Sequence, residues 1–512
     1  MELNILEQGL ATNRTIFEQS LEQSIDTEFT LPDYYPEVER ILKCRVVPRL
    51  SSKALNGGTL VIDGTAAITL IYASAEGEIS GFDYQVPFSK TVDSACAQAE
   101  PSDGLFVFCG VLLDYATCRA VTPRRISVRG SVVMKPKVVC RKTVEIIADI
   151  DDDCVQTQKG ETKATVPVSV TEKQFSLEEE MEIPQGKPTA LSVIRSSATA
   201  IVTECKIISN KAVVKGRLCI DALYRAESGC ECFKNEIPFN QIIDVFGIDE
   251  DCAATARAEI CAFDLRTKTG MSGEARTFVA DARVGLCIEA FCERDVALIY
   301  DAFSTRFREN ISRSDIALER FVQGADETFL CKKTIEFPDG TFSGLTDVWC
   351  DAGGETVRAE GDTIIIAGEI TVCILGQDAQ SGAVFYERPA PFEYRLRLNK
   401  TPENLRCIPQ VQISGLDYEL GGTGRVEIRA ELKITAAVTE TVTVSVLSDF
   451  SLDEDNPKSR GESALVIYFA DQGEKLWDIA KRYNTSPTEI ASVNELEAEK
   501  LDNGRMLLIP RV

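Results

Sequence analysis

The chain has 512 residues, of which 44% are hydrophobic and 26% charged, a globular composition with room for roughly three to four domains. Lys and Arg total 55 against 80 Asp and Glu, and the resulting net charge of −25 argues against nucleic acid and anionic lipid as partners. No histidine is present, which excludes the commonest general base and zinc ligand, so we expect a non-enzymatic protein without a cofactor.

The 18 cysteines are too sparse for a disulfide-stapled secreted scaffold, and the closest pair, Cys230 and Cys232, does not have zinc-site spacing. The N-terminus lacks the basic and apolar regions of a secretory signal. The longest apolar run, 464–470, is far shorter than the ~18 residues that span a bilayer. We therefore expect a cytoplasmic protein without membrane insertion or a metal site, whose thiols are reduced and individually buried.

A repeat of 152 residues organises most of the chain. Gly64, Gly216 and Gly368 each begin a segment in which every second residue is apolar, the pattern of a half-buried antiparallel strand. A glycine at this position suits a bulge or a close backbone approach. Each segment is followed by a glycine turn and a Pro-Phe step, which predicts a hairpin whose second strand ends at the proline. The three steps are Pro87-Phe88, Pro238-Phe239 and Pro391-Phe392.

The sequence thus predicts a mainly β protein built from three tandem antiparallel repeat domains, each resembling a sandwich or barrel. Their predicted limits are 1–158, with a core from about residue 31, then 159–308 and 309–447. Helical periodicity is scarce and is clearest over Ser314–Gln323. One aspartate recurs near the end of each unit, at Asp149, Asp301 and Asp449, and we interpret all three as turn or strand-end caps.

The last 65 residues have a different character. Residues 448–463 are acidic and rich in turn formers, which predicts a flexible linker and a final module that moves independently. The pattern of residues 464–512 predicts a β-α-α-β module. Its first helix has an apolar stripe with i, i+3, i+4, i+7 spacing, and Ser486-Pro487 marks the start of the second helix. The stripe comprises Leu476, Ile479, Ala480 and Tyr483.

This module resembles a LysM domain in the run from Gly473 to Ala480 and in the closing Leu508-Ile509-Pro510. The resemblance implies a shallow groove for N-acetylglucosamine polymers, peptidoglycan or chitin, between the loops that follow the first strand and precede the last. The corresponding residues are Gly473, Glu474, Lys475 and Leu476 in the first loop, and Asn503, Gly504 and Arg505 in the second. The long side chains of Glu474 and Lys475 replace the family's usual short Asp-Thr/Ser step, which argues against glycan binding.

Trp477 has two interpretations. Its ring folds over the core of the small module, or it is a partly exposed anchor for a partner, because tryptophan is enriched among interface hot spots. Lys481 lies one turn further along the same helix and would form the polar rim of that surface.

Three β-rich repeats followed by a LysM module resemble the SipL family of spore-coat morphogenetic proteins, whose repeats are called SPOCS domains. The Pro-Phe steps and the run 298–305 support this resemblance. It implies a non-enzymatic adaptor in the mother-cell cytoplasm, at the forespore surface. The implied partners are stage IV sporulation protein A, a coat-basement ATPase bound through the LysM domain, and other coat proteins. The alternative is a protein that binds peptidoglycan or N-acetylglucosamine through its LysM domain.

Overall fold

The computed structural model describes residues 3–93, 104–270, 273–337, 342–378, 382–401, 404–421, 425–458, 465–496, 501 and 504–510, apart from the side chains of 166–169 and 343. Within these residues the chain forms 21 β-strands, all paired antiparallel, and two short α-helices near the C-terminus. The prediction of a mainly β protein is confirmed.

The first repeat is a sandwich of two antiparallel sheets that share one apolar core. One sheet has the order β3-β4-β5. In the other, β1 and β2 lie end to end along one edge of β7, and β6 lies along its other edge. The strands are β1 Asn4–Glu18, β2 Leu21–Thr30, β3 Val38–Asn56, β4 Thr59–Ser74, β5 Ile79–Asp93, β6 Leu105–Ala120 and β7 Arg125–Asp151. The core predicted from about residue 31 starts too late, because Ile25 and Phe29 on β2 are buried in the core of this sandwich.

The second and third repeats are built in the same way, with a single long strand in place of β1 and β2. In the second repeat the sheets are β9-β10-β11 and β12-β13-β8, and in the third they are β15-β16-β17 and β14-β19-β18. The second comprises β8 Val155–Glu182, β9 Ser192–Ile208, β10 Lys211–Ala226, β11 Gly229–Asp244, β12 Ala253–Thr269 and β13 Ala275–Ser304. The third comprises β14 Phe307–Glu336, β15 Phe342–Glu360, β16 Thr363–Asp378, β17 Gly382–Arg397, β18 Leu405–Gly421 and β19 Arg425–Pro457.

The three repeat glycines occupy one structural position, on the central strand of the sheets β3-β4-β5, β9-β10-β11 and β15-β16-β17. Each faces the phenylalanine of the Pro-Phe step on the next strand, at Gly64↔Phe88, Gly216↔Phe239 and Gly368↔Phe392. A Cβ atom would lie 2.2 Å from the ring on Gly64 and on Gly216, and 2.7 Å from it on Gly368. The predicted close approach is confirmed, and with it the shared fold of the three units.

The prediction that the second hairpin strand ends at the proline is wrong. Pro87, Pro238 and Pro391 lie inside β5, β11 and β17, which continue for several residues beyond them. Each of these strands lies at the edge of its sheet and has a neighbour on one side only. Proline is tolerated on the outer side, because no partner strand there needs its missing N–H.

A three-part trunk joins the repeats. The strand pairs β1–β7, β8–β13 and β14–β19 continue beyond their sandwiches as two-stranded ribbons. A lone ribbon is marginally stable, and here the three pack together on shared apolar clusters. One such cluster comprises Leu10, Ile146, Ala164, Val296, Leu298, Ile316, Leu318 and Val446, with contributions from every repeat.

The trunk explains two further corrections. The predicted helical stretch Ser314–Gln323 lies within strand β14, where Ile316 and Leu318 face the trunk core. The predicted flexible linker, 448–463, is wrong in its first part, because β19 continues to Pro457 in pairing with β14. Lys458 then donates from its backbone N to the carbonyl of Arg306 and from Nζ to that of Ser304, both at 2.8 Å. Residues 459–463 lie outside the described part of the chain.

The expectation that the thiols are all reduced is wrong for one pair, and the expectation that each is buried holds among the described free thiols only for Cys140, Cys154 and Cys373. Cys252, just before β12, and Cys292 on β13 form a disulfide, with their Cα atoms 4.4 Å apart. Cys96 lies outside the described residues, and the other 15 cysteines are free thiols. Sequence spacing does not predict this pair, because the two cysteines are 40 residues apart. They become neighbours only when β12 pairs with β13.

Candidate functional site

The C-terminal module has the predicted β-α-α-β order. Strands β20 Leu465–Ala470 and β21 Arg505–Pro510 pair antiparallel, and between them lie helices α1 Leu476–Tyr483 and α2 Pro487–Val493. The α1 stripe packs as predicted: Leu476, Ile479 and Ala480 are buried, and Tyr483 lies against the same core. Ser486 caps α2, because its hydroxyl accepts a hydrogen bond from the backbone N of Thr488 at 3.2 Å.

The two predicted groove loops do meet. The backbone N of Gly473 donates to the carbonyl of Leu501 at 2.8 Å, and the N of Leu501 donates to the carbonyl of Glu474 at 3.1 Å. Gly473 has φ +85°, a conformation that favours glycine. Lys475 on one side and Arg505 on the other are exposed.

The remaining predicted groove residues differ in their roles. Leu476 belongs to the core of the module and does not line a surface. Gly504 is exposed, and Asn503 lies outside the described residues. The loops therefore converge as the resemblance implied, with Lys475 and Arg505 as the long side chains available at their rims.

Glu474 locks the first loop. Its carboxylate accepts hydrogen bonds from the backbone N of Asp471 at 3.0 Å and from the Tyr468 hydroxyl at 2.9 Å. These hydrogen bonds, with the nearby charge of Arg482, lower the pKa of Glu474. The same contact raises the pKa of Tyr468. Because its oxygens are engaged within the module, Glu474 acts as a structural clamp on the loop.

Trp477 and Lys481 face the second repeat. The Trp477 Nε1 donates to Oδ2 of Asp301 at 2.9 Å, and the Lys481 Nζ lies 2.7 and 2.9 Å from the two carboxylate oxygens of the same residue. The ring of Phe303 meets Trp477 edge-on, with centroids 5.0 Å apart, and is completely buried in the core of the module. We call Asp301 and Phe303 the seat. In this arrangement the module is docked on the second repeat through these contacts.

The charge on Asp301 is well compensated. Burial raises the pKa of this carboxyl, but the hydrogen bonds from Lys481 and Trp477 and the charges of Lys481 and Arg313 outweigh burial and lower it overall. Arg313, on β14, lies 2.6 Å from Oδ1. Asp301 therefore stays ionised at neutral pH and holds the helix through charge-assisted hydrogen bonds.

A bulge in the strand sets the position of the seat. The pairing of β13 with β8 skips Tyr300, immediately before Asp301. The corresponding irregularities fall at Ala148, before Asp149, and at Ser448, before Asp449. A bulge re-aims the side chains that follow it, and here it does so in all three repeats.

The three aspartates do not share the predicted role as turn or strand-end caps, and Asp449 lies well inside β19, opposite Ser312. Asp149 accepts a hydrogen bond from the backbone N of Ile150 at 2.8 Å and pairs with Lys159, and Asp449 is exposed. Asp301 instead binds the final module, a role that sequence reasoning missed. The signal was Phe303 two residues later, where the other repeats have Asp151 and Ser451.

The outer face of the module's hairpin is apolar and uncovered. Leu465, Ile467 and Phe469 alternate along β20 and are all exposed, as is Met506 opposite Phe469 on β21. We call these four residues the stripe, as distinct from the α1 stripe. The signal in the sequence is the unbroken apolar run of β20, because a strand without alternation has two apolar faces.

Comparisons with known proteins agree with this structure. The fold and the module define a class of protein that joins β-sandwich repeats to a LysM domain: the LysM domain model matches residues 471–510. The repeats themselves are similar to the SPOCS domain of SipL, which matches residues 37–115 and 189–267. No curated protein and no solved structure gives a significant match.

These matches confirm the resemblance to a SipL-like protein with a LysM domain, for two repeats and the module. The family model does not extend to the third repeat, although that repeat has the same two sheets and the same glycine–phenylalanine contact. The chain therefore carries sporulation-related SPOCS domains and a LysM domain, both of non-catalytic families.

Within the described residues, one group of side chains has ligand atoms close enough to share a metal ion. Asp249, Cys252 and Cys292 form the one group there whose ligand atoms lie close enough for a shared ion, and its two sulfurs are bonded to each other. Burial raises the pKa of Cys230 to about 11 and that of Cys232 to about 12, which disfavours the thiolate form that binds metals. No helix in the described part of the chain is long and apolar enough to cross a membrane.

Proposed function

We propose that this protein is a non-enzymatic adaptor that helps to recruit the spore coat to the forespore surface, from the mother-cell cytoplasm. In this proposal the three repeats form the scaffold, and the LysM domain binds a stage IV sporulation protein A-like coat ATPase. Other coat proteins would contact the repeats. The observation that carries the proposal is the joint presence of two SPOCS domains and one LysM domain in a single chain.

The surface chemistry of the module supports a protein partner. Apolar side chains concentrate on the stripe, and Phe469 is 74% exposed. Exposed apolar side chains grouped on one small surface are typical of protein interaction sites. At the groove, Lys475 and Arg505 are long cations suited to carboxylates of a protein, and Glu474 is already engaged within the module.

A binding assay with the full-length chain tests this proposal. Purified stage IV sporulation protein A should bind the chain, and Phe469→Glu should weaken that binding because a charge would be placed within the apolar stripe. Phe246→Glu is the matched control, since Phe246 is 78% exposed but lies in the second repeat, away from the module. Equal binding by both variants would exclude the stripe, and no binding by the unaltered chain would reject the partner.

The alternative function is binding of peptidoglycan or other N-acetylglucosamine polymers. The LysM match over 471–510 and the convergence of the two loops favour it. Titration of the full-length chain with chitin oligomers tests it directly, with Lys475→Ala and Arg505→Ala as groove variants. Saturable binding that these variants abolish would support the glycan function in place of the ATPase.

A further inference from the structure

The α1 face that carries Trp477 and Lys481 is already occupied. Trp477 and Lys481 are the two helix residues expected to contact a partner, and both bind Asp301 of the second repeat. Phe303 fills the space beside the Trp477 ring and is buried in the module's own core cluster. Asp301 thus pairs with the polar groups of this face, and Phe303 packs against its aromatic ring.

We propose that the seat is an intramolecular ligand of the LysM helix, which competes with any partner that binds through Trp477 and Lys481. Such a partner would present a carboxylate beside an aromatic ring, as Asp301 and Phe303 do. Binding then requires the module to leave the second repeat. This inference rests on the proposed function for the identity of the competitor, but the contact with the seat does not.

The specificity of the seat follows from the repeats. All three repeats carry the bulge and the aspartate, so the scaffold offers three similar carboxylates. Only the second repeat has an aromatic residue two positions later, and only there does the aspartate meet the helix. The pair of residues, and not the aspartate alone, therefore distinguishes the occupied position.

The polar part of the seat fits a reversible contact, whereas Phe303 is completely buried and would be uncovered on release. Asp301 and Lys481 are only partly buried, with 16% and 35% of their side chains exposed, so water reaches both partners when they separate. Four buried residues of the two helices pack within the module, so these core contacts do not depend on Asp301. They are Leu476, Ile479, Ala480 and Ile490. The apparent affinity of such a partner is reduced by the fraction of chains in which the module has left the seat.

The first experiment reports on the seat without a partner. The chain has two tryptophans, and Trp349 is buried in the repeats, so a change in accessibility reports mainly on Trp477. Asp301→Asn should increase acrylamide quenching and shift the emission to longer wavelength, because it removes the charge that holds Trp477 and Lys481. Asp449→Asn, at the equivalent exposed position of the third repeat, is the control and should change neither quantity.

A second variant keeps the test valid if Asp301→Asn is poorly folded. Lys481→Glu places a negative charge against Asp301 from the module side and should release Trp477 in the same way. Lys475→Glu makes the same charge change at the exposed N-cap of α1, where the side chain makes no capping bond. If neither Asp301→Asn nor Lys481→Glu alters Trp477 relative to its control, the seat is not what holds the helix.

The second experiment measures competition with purified stage IV sporulation protein A. Asp301→Asn should bind it about tenfold more tightly than the unaltered chain, and Asp449→Asn should bind it as the unaltered chain does. Equal affinity despite an exposed Trp477 would overturn the competition. Exposure of Trp477 with no binding by any of the chains would overturn the proposed function and leave the intramolecular contact standing.

Discussion

The repeat glycines and the repeat aspartates are equally regular in sequence and differ in what surrounds them. Gly64, Gly216 and Gly368 have the same neighbours, because each must admit the ring of a phenylalanine on the adjacent strand. Of the three aspartates, only Asp301 contacts the LysM domain. Positions inside a sandwich are fixed by the packing of that repeat, whereas positions on its outside depend on the elements that meet it.

The contact between the second and third repeats extends this comparison. One repeat position carries three different side chains at intervals of 152 residues. It is occupied by Lys43 on β3, Arg195 on β9 and Asp347 on β15. Arg195 and Asp347 are buried and paired, with Nε 2.8 Å from Oδ2, and the guanidinium lies 4.7 Å from the ring of Trp349. Divergence at one repeat position has thus produced a charge pair between repeats.

The largest effect should come from breaking this pair. Asp347→Ala leaves the guanidinium of Arg195, which is 1% exposed, with Asp221 as its remaining ion-pair partner among the described residues. Removing one partner of a buried ion pair costs ~3–5 kcal/mol, and we expect the free energy of unfolding in denaturant titration to fall by about 3 kcal/mol.

The exposed pair Lys268–Glu180 provides the control, where Lys268→Ala should cost less than ~1 kcal/mol. The double variant Arg195→Met, Asp347→Leu should recover part of the lost stability, because it removes both buried charges but leaves Asp221 without Arg195. A loss for Asp347→Ala no greater than that of the control would show that the contact between the repeats does not depend on this pair.

A smaller loss is expected at the glycine position. In Gly216→Ala the new methyl group would lie 2.2 Å from the Phe239 ring and 2.5 Å from the carbonyl oxygen of Ile201. Overpacking of this kind costs ~1–3 kcal/mol, measurable as a lower midpoint in thermal unfolding. Gly110→Ala on β6 is the control, because nothing lies within 4 Å of its added Cβ. Equal midpoints would contradict the packing argument.

The sequence predicted the parts of the structure that depend on local pattern. Alternation along β4, β10 and β16 and the α1 stripe both lead directly to the observed burial. The sequence failed where distant segments decide the outcome: Ser314–Gln323 has a helical pattern, but its partner β19 and the trunk core make it a strand. Asp301 was misassigned for the same reason, since its partner Trp477 lies 176 residues away.

Trp477 combines features of both interpretations, because its ring packs against the core cluster of the module and its indole N–H binds the second repeat. The residue is a partly exposed anchor, but the surface it binds belongs to the same chain. Trp477→Ala should release the helix while the module stays folded, because the buried core residues Leu476, Ile479 and Ile490 remain in contact. Loss of ~3–5 kcal/mol in unfolding of the module would instead identify Trp477 as a core residue.

Trp477→Phe separates the two components of this contact and should have the smallest effect. Phenylalanine keeps an aromatic pair with Phe303, worth ~0.5–1.5 kcal/mol, and loses the hydrogen bond to Asp301, a charged acceptor for which ~1.5–3 kcal/mol is typical. Partial exposure places the loss near the lower figure, and Lys481 still holds the carboxylate. Protease sensitivity of the segment that precedes the module should therefore rise less for Trp477→Phe than for Trp477→Ala. Equal sensitivity of the two variants would assign the docking to the hydrogen bond, and an unchanged Trp477→Phe would assign it to the ring.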